Sequence, residues 1–180
     1  MRILHLTETD YKVGLWSGGS TTELFIWPEG ADYGKREFTL RVSSARVDLE
    51  ESDFTPLQGV LRYITPLSGG FTLTHPGSTP VAMAPLDAPY RFSGETPTHC
   101  VGRATDFNLM LKGAAGEMVL CYDAWQLRPG FNCLYAVADT AVALEDGYTL
   151  RPGELLIVFA DSTAEVSVSN RALACYANIP

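Results

Sequence analysis

A catalytic or metal-binding centre in this chain would have to be assembled from three histidines, four cysteines and scattered carboxylates. His5, His75 and His99 stand alone, none within two residues of another. An open divalent-metal site needs convergent nitrogen and oxygen ligands, and this spacing argues against one. Cys100, Cys121, Cys133 and Cys175 form no C-x-x-C pair, which speaks against zinc and against thioredoxin-type redox chemistry. No Gly-x-Ser-x-Gly elbow presents an activated serine. The stretch Gly14–Glu23, GLWSGGSTTE, lacks the Gly-Lys-Ser/Thr ending of a phosphate-binding loop. Its hydroxyls and free amides suit a carboxylate. They equally suit an ordinary turn before a strand at 24–27. Asp106, Asn108 and Met110 alternate with Phe107, Leu109 and Leu111. An acid and an amide beside Met on one strand face either line a small-ligand pocket or form a solvated surface. Arg41, with Ser43 on the same face, and Arg62 are cations suited to a ligand carboxylate, or else surface charges.

The elements that must position these residues are strands. The chain holds 16 glycines and 11 prolines in 180 residues. Helix interiors tolerate neither, since Gly costs roughly 1 kcal/mol and Pro roughly 3 kcal/mol there. Short alternating runs between Gly/Pro turns are expected at 37–47, 61–67, 71–75, 107–112, 117–122, 131–138, 154–159, 165–169 and 172–179. The segment 83–92, with Pro85 and Pro89, suits an edge or a loop. Gly113-Ala114-Ala115-Gly116 reads as a hairpin turn between its flanking strands. Only 49–54 and 121–127 are candidates for helix. About a dozen closely spaced strands indicate an all-β sandwich or barrel.

Composition removes several function classes. Thirteen Lys and Arg against 21 Asp and Glu give a formal net charge of -8, and no basic run exists. Nucleic acid and anionic membrane are poor partners for such a surface. No apolar run approaches a membrane span. Met1–Thr9 has no apolar leader core, so a cytoplasmic protein with reduced, buried thiols is expected. The end strand at 172–179 is a candidate edge through which two copies could pair as a homodimer.

Five blocks in order are more specific than any of these features. They are WSGGxTTE at 16–23, RVSSA at 41–45, FTPLxGVxR at 54–62, LxG at 67–69, and DFNLM at 106–110, the last preceded by FxG at 92–94. This succession resembles the HutD/Ves family. In addition, 61–70 and 146–154 each read as strand, glycine turn, strand, and the second resembles a segment of cupin jelly rolls. The resemblance implies a cupin-like, RmlC-type double-stranded β-helix in a compact bicupin arrangement. It further implies a single unit over 1–180, with an N-terminal module at 1–112 and a C-terminal cupin-like module at 113–180. Where a cupin would supply a metal ligand after Pro152-Gly153, this chain has Leu155, Leu156 and Ile157. No metal and no cofactor are expected. Ser17 and Ser20 replace the asparagine and third glycine of many members, and Leu40 replaces a tryptophan.

Carried over by position, the ligand-binding residues are Trp16, Thr21, Thr22, Glu23, Arg41, Ser43, Arg62, Asp106 and Asn108. The implied function is binding of a small polar carboxylate metabolite, such as urocanate or formiminoglutamate, in a regulatory or accessory role in histidine catabolism or stress. On this reading Trp16 walls in the ligand, Arg41 or Arg62 pairs its carboxylate, and Asp106 accepts an N–H. One alternative is a metal-independent isomerase or hydrolase with Glu23 or Asp106 as general base. Another is a structural or interaction protein with a solid barrel.

Overall fold

The computed structural model describes residues 1–145 and 147–179. Among them the chain is all strand and turn, apart from one 3-10 turn at Glu8–Asp10. Asp146, which opens the second strand-turn-strand stretch, and Pro180 lie outside the described residues. No helix among the described residues is long and apolar enough to cross a membrane.

The chain divides into two compact units. One is Lys12–Gly113; the other joins Met1–Tyr11 to the residues from Ala114 on. The first eleven residues thus group with the C-terminal part of the chain. Strand β1 (Arg2–Leu6) pairs antiparallel with a strand near the C-terminus, Arg2 opposite Phe159 and Leu6 opposite Leu155. Ile3 of this strand packs against an apolar core built from residues beyond 120.

The Lys12–Gly113 unit contains β2 (Lys12–Trp16), β3 (Gly19–Trp27), β4 (Leu40–Val47), β5 (Glu51–Asp53), β6 (Val60–Gly69), β7 (Phe71–Thr74), β8 (Val81–Met83), β9 (Tyr90–Ser93), β10 (His99–Val101) and β11 (Ala104–Lys112). They form a six-stranded sheet, β2-β3-β4-β11-β6-β9, and a four-stranded sheet, β5-β10-β7-β8. The described pairings are antiparallel. Ile64, Phe92 and Ala104 of the large sheet pack with Phe71, Leu73, Met83 and Cys100 of the small one, which places the sheets face to face. A second apolar cluster, Ile26, Phe38, Leu57, Val60 and Met110, fills the opposite end of the large sheet. The β6–β7 turn needs glycine at Gly69. Its φ is 73°, and a Cβ there would stand 2.3 Å from the Arg103 carbonyl oxygen.

The other unit contains β1, β12 (Gly116–Cys121), β13 (Ala124–Leu127), β14 (Gly130–Ala136), β15 (Thr140–Val142), β16 (Tyr148–Leu150), β17 (Leu155–Ala160), β18 (Ala164–Ser167) and β19 (Ala172–Ala177). Its main sheet runs β1-β17-β14-β19-β12, beside the pairs β13-β18 and β15-β16. Its core is apolar and includes Trp125, Leu127, Leu134, Leu156, Val158, Val166 and Ala174.

Four local expectations differ from this topology. The segments at 49–54 and 121–127 are not helical; they contain β5 and β13. Strands of three or four residues are too short to display a period, and cross-strand pairing decides them. The flanks of Gly113–Gly116 do not form a hairpin. Both edges of β11 are already hydrogen-bonded, to β4 and to β6, and β12 pairs with β19 instead. The end strand is no edge either, since β19 lies between β14 and β12. Its Ala172, Leu173, Ala174 and Cys175 are buried.

Deleting Met1–Leu6 removes the outer partner of β17. The expected result is loss of hydrogen-exchange protection in β17, with protection of β4 and β11 retained, and a stability loss of about 3 kcal/mol. Unchanged protection of β17 would contradict this pairing.

Candidate functional site

Inside the Lys12–Gly113 unit lies a cavity of about 550 Å³. Strand alternation puts its polar lining in place. Thr21 and Glu23 of β3, Arg41, Ser43 and Ala45 of β4, Arg62 of β6, and Asp106, Asn108 and Met110 of β11 all point into it. Pairing aligns them in rows across the sheet. Thr21, Ala45 and Asp106 form one row, Glu23, Ser43 and Asn108 the next, and Arg41, Met110 and Arg62 a third. Bulges in β3 near Glu23–Phe25 and between β6 and β11 at Thr105/Asp106 shift the register at the ends of these rows.

Two guanidinium groups sit in the wall, each nearly buried. Arg41 donates from Nε to Glu23 Oε2 at 2.8 Å and from Nη1 to Ser43 Oγ at 3.2 Å. Its guanidinium carbon lies 4.0 Å from the Tyr33 ring centre. Arg62 donates from Nη2 to Asn108 Oδ1 at 2.8 Å. Its guanidinium lies 4.7 Å from the Phe54 ring centre and 5.2 Å from that of Phe92. The Arg62 Nε is buried and has no hydrogen-bond partner. A buried, unpaired charged donor is expensive and is met at sites that await an acceptor.

Asn108 relays this charge. Its Nδ2 donates to Asp106 Oδ1, and the Ala45 backbone N–H donates to the same oxygen at 3.4 Å. The Ser44 hydroxyl donates to the Asp106 backbone carbonyl at 2.7 Å, pinning the strand. Burial pushes the Asp106 carboxyl up to about 6; Arg62 and the two hydrogen bonds pull it partly back. Burial likewise holds the Arg62 guanidinium below its ordinary value, against the opposing pull of Asp106.

Eight of the nine expected binding residues line this one cavity. Thr22 does not. It lies between Thr21 and Glu23 on the strand, opposite Ser44, so the period of two turns it to the other face. The Gly18-Gly19 segment is a structural turn. A Cβ on Gly19 would stand 1.9 Å from the Arg46 carbonyl oxygen, and one on Gly18 would enter the Trp16 ring. The turn thus seats Trp16, 41% exposed, at the mouth. Sequence reasoning missed Tyr33 and Phe54, which face the two guanidinium groups, and Lys12 and Asp53. Phe54 was visible inside a motif block; Tyr33 lies in a segment with no periodicity to expose it.

The histidines have other partners. His5 Nε2 meets Glu154 Oε2 at 2.8 Å, and His99 Nδ1 meets Asp53 Oδ1 at 2.9 Å. His75 is buried, 3.2 Å from the Thr98 hydroxyl and stacked on Tyr90. Among the described residues no group of three His, Cys, Asp or Glu side chains is placed to hold a metal ion. The four cysteines are free and buried.

The HutD family model matches residues 8–176. The structure is similar to that of HutD from Pseudomonas fluorescens SBW25, at 25% identity and a TM-score of 0.84, over 98% of both chains. It is also similar to a conserved protein of unknown function from Pseudomonas aeruginosa PAO1, at 24% identity and a TM-score of 0.81, over 97% of both chains. The bacterial pirin YhhW from Escherichia coli, solved in complex with nickel(II), shares the fold alone. It has 9% identity and a TM-score of 0.67, over 99% of this chain and 100% of that one. No curated protein matches the sequence. The chain therefore belongs to the HutD family, and its fold is the cupin jelly roll.

The raised Asp106 pKa has a stability consequence. Between its ordinary value of 3.8 and about 6, the folded chain binds this proton more tightly than the unfolded chain. Folding stability from this group is therefore lost as pH rises through that window. Asp106→Asn removes the term. Relative to wild type, the variant is expected to gain on the order of 1–3 kcal/mol between about pH 4 and pH 7, measured by urea unfolding. A difference that does not change with pH would contradict the assignment.

Proposed function

We propose that this HutD-family chain is a metal-independent binder of a small polar metabolite bearing a carboxylate. Its role on this reading is regulatory or accessory, in histidine catabolism or in a stress response. The observation that carries it is Arg62: a buried guanidinium, stacked on Phe54, whose Nε has no partner and which lines a cavity of ligand size. The carboxylate pairs with Arg62, a geometry that a planar fork of donors favours. Arg41 is already engaged by Glu23 and Ser43, and it shapes the wall. Tyr33, Phe54 and Trp16 offer apolar and aromatic surface to the body of the ligand. Glu23, and Asp53 toward the mouth, accept its N–H groups.

A second reading draws on the raised pKa of Asp106, which suits a general base. The chain would then be a metal-independent isomerase or hydrolase. Turnover of a candidate acid, abolished in Asp106→Asn with binding retained, would establish it.

The binding reading is tested by thermal shift against histidine, urocanate, formiminoglutamate, glutamate and related small acids, with and without EDTA. A ligand at 100 times its Kd contributes about 2.7 kcal/mol. At this chain length that raises Tm by roughly 5–11 °C. The expected result is a shift with one class of acid, insensitive to EDTA. Arg62→Ala is expected to weaken binding about 100-fold and Trp16→Ala about 10-fold. Undiminished binding in both variants would remove the assignment.

A further inference from the structure

We propose that capture of an anion in this cavity is coupled to the uptake of one proton by Asp106. The inference rests on the reading that the cavity takes a carboxylate at Arg62. In the empty site, Arg62 and Asp106 are counter-charges joined through a single amide. Arg62 Nη2 donates to Asn108 Oδ1, and Asn108 Nδ2 donates to Asp106 Oδ1. All three side chains are at most 7% exposed. A carboxylate arriving at the Arg62 guanidinium, which lines the cavity, brings a second anion to one buried cation. Two buried anions sharing one cation do not both stay ionised when one can be neutralised from solvent.

The surroundings single out Asp106 as the group that yields. On β3 and β4, Glu23 and Arg41 form a direct ion pair at 2.8 Å, so each already has a full counter-charge. Across β6 stands Arg62, whose charge the arriving anion shares. On β10, Cys100 faces the same region; burial raises its thiol to about 11, so it stays neutral. Tyr33 covers Arg41 with its ring. His75 contacts Phe92 on the far side of the cluster, and His99 pairs with Asp53 on the four-stranded sheet. Neither touches Asp106.

The protonation itself is simple to balance. A proton from solvent adds to Asp106 Oδ2, and no bond breaks. Oδ1 keeps the hydrogen bonds from Asn108 Nδ2 and the Ala45 N–H. The strand geometry is therefore the same in both protonation states. Burial already holds the carboxyl near about 6 in the empty site, so little separates the two forms near neutrality.

Formate serves as the probe, because it is small, carries only a carboxylate and stays ionised across the range used. Calorimetric titration of the whole chain at pH 6, 7 and 8, in two buffers of different ionisation enthalpy, gives both affinity and proton count. The expected result is binding about tenfold or more tighter at pH 6 than at pH 8, with uptake approaching one proton at pH 7 to 8. Asp106→Asn is expected to bind formate equally at pH 6 and pH 8, and more tightly than wild type at pH 8. His99→Gln is expected to keep the wild-type slope. Affinity that is flat with pH, or a slope that survives in Asp106→Asn, overturns the coupling and leaves carboxylate binding standing. If Asp106→Asn does not fold, the wild-type buffer comparison decides, and a proton count of zero overturns the coupling. Failure of wild type to bind formate at every pH is a different result: it removes the carboxylate reading and the coupling with it.

Discussion

Burying the Arg62–Asn108–Asp106 line inside a β unit is the constraint around which the Lys12–Gly113 unit is arranged. Charges removed from water are tolerated only with partners in good geometry. Adjacent antiparallel strands provide that geometry. Arg62 and Asn108 are diagonal neighbours on β6 and β11, and Asp106 and Asn108 are two residues apart on one strand face. The two apolar clusters at either end of the large sheet hold this polar middle layer. The sheet thus serves as a rigid frame for a few polar groups, and function follows from which side chains occupy its inward positions.

The second unit shows what the same architecture does with different inward residues. Its main sheet turns Leu134, Leu156, Val158, Ala172 and Ala174 into a packed core. Phe131 stands opposite Ala177 and Leu134 opposite Ala174, so at these pairs a large residue meets a small one across the ladder. Asn132 is buried there too, but backbone carbonyls of Arg128, Gly130 and Val158 satisfy its amide locally. A polar group satisfied by nearby backbone stabilises a turn. The Arg62 Nε, by contrast, is buried without a hydrogen-bond partner in a residue that lines the cavity.

Legibility in the sequence followed the length of the elements. Strands of eight or nine residues, such as those carrying Arg41 and Asp106, displayed the period of two and grouped the residues that share a face. Thr22 was misplaced because the family block was carried over whole, whereas the strand period separates it from Thr21 and Glu23. Tyr33 and Phe54 were missed because they reach the site from irregular segments, where no period relates a residue to a face. The short β5 and β13 were read as candidate helix for the same reason.

The sequence by itself determined the all-β class, many of the turns and, along the strands it recognised, which residues share a face. These are local properties, set by the steric demands of Gly and Pro and by alternation along a single chain. Partner choice was decided only by the tertiary structure. That β1 completes a sheet with β17, that β11 joins β4 and β6 and not β12, and that β19 is interior all depend on which distant edge is left unpaired. The chemistry of the site was decided at the same level. Arg62 and Asp106 lie 44 positions apart and became one charge relay only because β6 and β11 pair and burial removes the water between them.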